Sequence, residues 1–263
     1  MNGILLNLLN GSLLNGFQLN GTLLNGTLLN DTLLNGKSLL GRMISYFDEI
    51  NWDLMFKATR ETLYMMGVSL LFTIILGLAL GIILFLTGPG QMLQNKISYF
   101  VLSLVVNMLR SVPFVILMIL IMPLTKMLIG TSIGVQGAIP PLVVAAVPFF
   151  ARLVEAALRE VDRGVQEAAQ AMGATKWQIV WHVLLREART GLIAAVTITA
   201  ITLVSYTAMS GIIGGGGLGD LAQRLGYQRF RTDVMIVTVA FLLVLVQVLQ
   251  MAGDALVKHF SRK

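Results

Sequence analysis

Few side chains in this sequence are placed to do chemistry together. His182 and His259 sit in unlike contexts and suggest no metal site. No Ser-His-Asp or paired-carboxylate grouping falls on adjacent apolar segments. Gly36-Lys37-Ser38 matches the tail of a phosphate-binding loop, Gly-x4-Gly-Lys-Ser/Thr. The first glycine of that pattern would fall on Asp31, and no β-strand precedes it. The run Gly214 to Gly217 is followed by no Lys-Ser/Thr, so it is not a phosphate loop either. Cysteine is absent, which excludes disulfides and thiol chemistry and leaves the redox compartment open. Catalysis, a bound metal and a nucleotide site are therefore not expected of this chain alone.

The elements that carry these residues are apolar to a degree that sets the class. Of 263 residues, 56% are hydrophobic and 12% charged, and the mean hydropathy is +0.81. Soluble domains usually carry about 25% charged residues, so a water-facing surface built from this chain would leave large apolar areas bare. A bilayer solvates such areas directly. The net charge of +6 does not point to nucleic acid. Its Lys and Arg residues are scattered between apolar blocks, with no basic face or aromatic platform among them. The expected fold is an all-α membrane protein of about five transmembrane helices.

Residues 1–42 form a separate, low-complexity extension. From Asn10 the chain repeats with a period of five, as in Asn15-Gly16, Asn20-Gly21 and Asn25-Gly26. Five residues advance a helix by about 500°, so the Leu pairs spiral round it instead of forming a stripe. Asn-Gly at this spacing favours turns. A disordered extension is expected, with a small pentapeptide-type solenoid as the alternative. No Lys or Arg precedes Lys37, which argues against a cleavable signal peptide.

Within a membrane domain of residues 59–257, apolar runs predict spans near 63–86, 107–124, 137–157, 192–213 and 234–253. Gly88-Pro89-Gly90 ends the first with a turn. Lys96 to Arg110 is too short to span and reads as an interfacial helix or the start of the next crossing. Pro113 stands near the beginning of the second span, where proline is tolerated, and 125–136 reads as a loop. Five crossings put the chain ends on opposite sides. The loop from Arg152 to Arg189 and the tail 258–263 are both basic, which places them in the cytoplasm and the amino terminus outside.

The loop between the third and fourth spans holds Glu167-Ala168-Ala169-Gln170-Ala171-Met172-Gly173-Ala174-Thr175. Glu167 is expected near a helix start, where a carboxylate complements the dipole. Small residues allow close approach by another protein, and Gly173 breaks the helix. An amphipathic surface helix accounts for the periodicity equally well. The order of residues resembles the EAA motif of ABC importer permeases, with its Glu at Glu167, its Ala pair at Ala168 and Ala169 and its Gly at Gly173; Ala174 follows. The proline that the family carries after a downstream Leu is Arg186 here. The resemblance extends over about residues 59–262, through Arg110-Ser111-Val112-Pro113-Phe114, Pro148-Phe149-Phe150-Ala151-Arg152 and Ile201 to Gly219. It is nearest to the methionine permeases of the binding-protein-dependent type I family.

That resemblance implies a type I importer transmembrane domain in the bacterial inner membrane, in which the EAA segment is a coupling helix docked on an ATPase. It implies a second copy of the chain, two ATPase subunits that carry the ATP and Mg, and an extracytoplasmic methionine-binding lipoprotein. Tyr206 and Met209 are the candidate gate at the dimer axis, with ordinary helix packing as the alternative for Met209. Arg110 is the charge nearest the membrane interior, and either binds membrane lipid phosphate or lines the pathway. A permease for another small solute and a membrane scaffold remain open as alternatives.

Overall fold

The computed structural model describes residues 51–261. The repeat of 1–42, Gly36-Lys37-Ser38 and residues 262–263 lie outside that range. Helix α1, Trp52–Thr87, has 36 residues and reaches ~54 Å at about 1.5 Å per residue. Its first turn is capped by Asn51, whose Oδ1 accepts the Leu54 N–H at 3.1 Å. One face carries Ser69, Thr73, Gly77 and Gly81, all buried and four residues apart. This face is the seam against α4, Gly134–Arg159. A Cβ on Gly77 would lie 2.8 Å from the Phe150 ring, and one on Gly81 2.6 Å from Val154 Cβ. Apolar helices gain nothing from hydrophobicity when they pair in lipid, so contact this close is what holds them together.

Between these two helices the chain folds α2, Lys96–Ser111, and α3, Phe114–Ile129. The two bend by 107° at Val112-Pro113. Val112 is extended, as a residue before proline should be, and Pro113 caps α3 with no N–H to continue the ladder. The second span expected at 107–124 thus straddles a corner. The chain from 96 forms a helix of its own before the corner, and α3 runs on into the stretch read as loop, to Gly130 at φ +85. Among the described residues, α1, α4, the segment Arg189–Ile213 and Thr232–Ser261 are each long and apolar enough to cross a membrane; α2 and α3 pass only as a bent pair.

After α4 come α5, Arg163–Ala171, α6, Lys176–Gln178, a π-helical turn Ile179–Leu184 and α7, Leu185–Glu187. Then follow α8, Arg189–Ser210, the short α9, Gly217–Leu221, a second π turn Ala222–Tyr227, and α10, Thr232–Ser261. Two contact sets define the ends of the bundle. At one, the Lys176 ammonium donates to the Met92 carbonyl at 3.1 Å, and the Arg189 guanidinium lies 5.7 Å from the Phe260 ring. At the other, Gly217 N–H donates to Glu61 Oε2 at 3.0 Å and Gly134 N–H to the Gly214 carbonyl at 2.9 Å. Among the described residues the core has one cluster around Met65, Met118, Leu142 and Leu203, another around Phe85, Phe150, Ile179 and Leu184, and a smaller one of Leu84, Val106 and Ala151. Exposed Phe72 and Ile75 on α1, Phe100 and Leu104 on α2 and Leu243 and Val244 on α10 leave faces suited to lipid.

Candidate functional site

The loop between α4 and α8 is built around α5. Asp162 caps it, its Oδ1 accepting the Gly164 N–H at 2.7 Å. The carboxylate at the helix start is therefore Asp162, while Glu167 sits mid-helix and exposed, contrary to the sequence reading. The reason is that Asp162, with its shorter side chain, fits the cap. Gln166 and Ala169 are buried, and Ala169 packs in one cluster with Ile179 and Val180 of the π turn. An adjoining, solvent-facing strip presents Val165, Ala168 and Met172, at i, i+3 and i+7, with Met172 82% exposed. Gly173 closes the helix at φ +83, and Ala174 N–H donates to the Ala169 carbonyl at 3.1 Å. Thr175 and Gln178 then form a capping box that restarts the chain. Trp177 and Trp181 are exposed and meet edge to face at 5.6 Å. Val165, Met172 and Trp177 were not singled out in the sequence, although the i, i+3, i+7 spacing was there to be read.

At Arg186 the chain is helical and exposed. The irregularity is carried by the π turn before it and by Ala188 (ψ 1), where α8 begins, so no proline is needed there.

Beneath the loop, Glu155 is buried at 4% side-chain exposure and holds two cations: Arg152 at 2.6 Å and Arg159 at 2.7 Å. It also accepts the Tyr99 hydroxyl at 3.2 Å. Arg152 further donates to the Ser103 side chain, and to Asn107 Oδ1 at 3.1 Å. This network binds α2 to the carboxyl end of α4. Single-sequence reading did not find it, because Tyr99 and Glu155 are 56 positions apart; the only local signal is Arg-Glu-Arg spacing at i, i+3 and i+7.

At the other end, Gly214, Gly216 and Gly217 all have positive φ. A Cβ on Gly217 would fall 2.5 Å from Thr62 Oγ1. Leu218 N–H donates to Thr62 Oγ1 at 2.8 Å, so the glycine turn is pinned to α1 by Glu61 and Thr62. Tyr206 stacks on Phe114 at 4.4 Å with planes 2° apart. Met209 is 43% exposed and lines an apolar groove of about 520 Å³ between α8 and α10. The structure thus does not bring the two candidates into one contact: Tyr206 points to α3 and Met209 to the groove. Arg110 lies in the last turn of α2, exposed, with its guanidinium 5.9 Å from the Phe149 centroid. His182 is exposed on the π turn, and His259 meets Phe260 edge to face.

An apolar helical bundle with an amphipathic helix exposed on its polar loop has the build of a multi-pass membrane protein. The family of binding-protein-dependent transport system inner membrane components matches residues 74–263, and the chain belongs to it. The probable D-methionine transport system permease protein MetI of Vibrio cholerae is 49% identical over 220 residues, 84% of this chain and 98% of that one. The methionine import system permease protein MetP of Bacillus subtilis is 46% identical over 218 residues, 83% of this chain and 98% of that one. A chain of an inward-facing MetNI methionine ABC transporter matches with a TM-score of 0.79 at 46% identity, covering 81% of this chain and 98% of its own.

Proposed function

We propose that this chain is the permease of an ATP-driven methionine importer. It works as two identical copies on two ATPase subunits, which bind the ATP and Mg, and receives methionine from an extracytoplasmic binding lipoprotein. The observation that carries the reading is the exposed Val165–Ala168–Met172 face of α5, in a chain so similar to methionine permeases over nearly their whole length. Such a face fits a groove on a partner as a helix-in-groove contact. ATP is cytoplasmic, so the coupling end and the carboxyl terminus face the cytoplasm, and the start of α1 faces outward.

The mechanism follows from what ties α5 down. Its inner face is locked to the π turn by Ala169, Ile179 and Val180, and Lys176 links the loop to the turn after α1. Motion of the ATPases therefore drags the ends of α1, α4 and α8 together. Nucleotide must bind the two states of the complex unequally for its energy to move them. Glu167, Ala168, Ala169, Gly173 and Ala174 form the coupling segment. Tyr206 is held inside its own subunit by Phe114, which leaves Met209 as the residue presented outward for the gate.

Proteoliposomes holding permease and ATPase, supplied with binding protein, should take up labelled L- or D-methionine only when ATP is enclosed with the ATPases. Uptake of another amino acid with none of methionine would overturn the reading of the substrate.

A further inference from the structure

We propose that Arg110 contacts the carboxylate of the transported amino acid from the wall of a water-filled route along α2. This rests on the permease reading and adds a named residue and a chemical group to it.

The depth of the charge is the first ground. Phe149, under the Arg110 guanidinium at 5.9 Å, stands roughly 15 Å from the Arg159 end of α4 and roughly 22 Å from its Gly134 end at ~1.5 Å per residue. The helix overshoots a hydrocarbon core of about 30 Å by only a few ångströms at each end. Arg110 is therefore well inside the core, too deep for a lipid phosphate to meet it easily by snorkelling. A cation at that depth needs an anion or water.

The surroundings supply no anion. Among the described residues no ion pair is made by Arg110. Glu155, the buried carboxylate on the neighbouring α4, is already held by Arg152 and Arg159.

The third ground is the face on which Arg110 stands. Ser103, Asn107 and Arg110 follow at i, i+4 and i+7, a single polar stripe; Ser103 and Asn107 accept from Arg152 of α4, while Arg110 continues the stripe, exposed, one turn further on. Val101, Val105 and Met108 occupy the opposite side and are exposed apolar surface, and the exposed Phe100, seven residues before Asn107, ends the polar stripe towards the start of the helix. α2 thus has a lipid side and a polar side, and Arg110 is on the polar one. The Phe149 ring steers the guanidinium by a cation–π contact and leaves its N–H fork open. Two parallel N–H donors fit the two oxygens of a carboxylate or a phosphate. An amino acid crossing between two copies of this chain brings a carboxylate to this depth.

The chain has no cysteine, so Arg110→Cys provides a single reactive thiol in the permease. In proteoliposomes of the full complex, water-borne methanethiosulfonates should modify it, while Val105→Cys on the lipid side stays unmodified. Methionine uptake by Arg110→Cys should fall roughly tenfold or more, the scale of one charge-assisted hydrogen bond. A trimethylammonium reagent should restore part of it, and a sulfonate reagent should not. Arg110→Gln, close in size, should assemble with the ATPase and show the same loss. A thiol that resists water-borne reagents places the charge against lipid and overturns the proposal. So does wild-type uptake by Arg110→Gln. Failure of the wild-type complex to import methionine would instead strike the substrate reading, since the labelling pattern does not depend on the solute.

Discussion

Replacing Glu155 with Gln keeps the shape of the side chain and removes the charge between Arg152 and Arg159. Glu155 is 4% exposed, Arg152 17% and Arg159 37%. Stranding a buried ion pair by removing one partner typically costs about 3–5 kcal/mol. Arg159 is open enough to regain water, so its share is close to that of a surface pair, at most about 1 kcal/mol. Arg152 is not so free. It keeps Ser103 and Asn107 but loses its anion, and at 17% side-chain exposure it is less solvated than Arg159. The amide can still accept one hydrogen bond, which offsets part of the loss. The net expectation is about 2–3 kcal/mol. For a protein of this size that is a fall in Tm of roughly 4–12 °C, measured on the purified permease–ATPase complex in detergent by loss of the monodisperse species on heating. Glu155→Leu combined with Arg152→Met should recover part of the loss, because removing both charges leaves neither stranded. A shift below about 1 °C for Glu155→Gln, or a double variant worse than the sum of its singles, would refute the reasoning.

Three further substitutions and one control test the packing and the proposed coupling loop. Gly81→Ala places a methyl 2.6 Å from Val154 Cβ and 2.7 Å from the Ala151 carbonyl, and should cost about 1–3 kcal/mol in thermal stability by forcing α1 off α4. Gly67→Ala, whose Cβ meets nothing within 4 Å, is the control and should be neutral or slightly stabilising. Gly173→Val should leave the membrane domain folded, since a Cβ there meets nothing within 4 Å, but strains a φ of +83. The result should be less methionine moved per ATP hydrolysed, and a wild-type ratio would remove Gly173 from the coupling role. Met172→Asp puts a charge on the exposed α5 face and should weaken co-purification of the ATPase by tenfold or more, the size of an interface hot spot; unchanged stoichiometry would reject that face as the contact.

How much of this was legible follows from which forces act locally. Long apolar runs report the lipid they must sit in, so α1, α4, α8 and α10 could be read from hydropathy and length alone. The helix stop at Gly173 was readable too, because a positive φ is a demand that one residue type meets cheaply. The seam of Ser69, Thr73, Gly77 and Gly81 was equally local, with small residues every fourth position, but hydropathy treats glycine as filler and hides it. The Glu155 network and the Glu61–Gly217 link were not readable. Each joins residues far apart in the chain, and Glu61 to Gly217 spans 156 positions. What fixes them is how the helices stack, which a single sequence does not print.

Pro113 is the instructive case. A proline near the start of a helix is harmless only if the helix does start there. The reading that ran one span through 107–124 placed Pro113 seven residues inside a ladder it cannot continue. A missing N–H alone is carried within a helix at Pro123 and Pro148; here Val112 before the proline is extended, and the chain bends by 107°. The break also ends α2 immediately after Arg110, so that the residue sits in the last turn of that helix, beside carbonyls that no following turn satisfies. A cation is favoured at a helix carboxyl end, and the corner supplies such an end in the interior of the membrane domain. The same proline that breaks the span thus gives the Arg110 charge part of its stabilisation, which a straight helix through residue 113 would not.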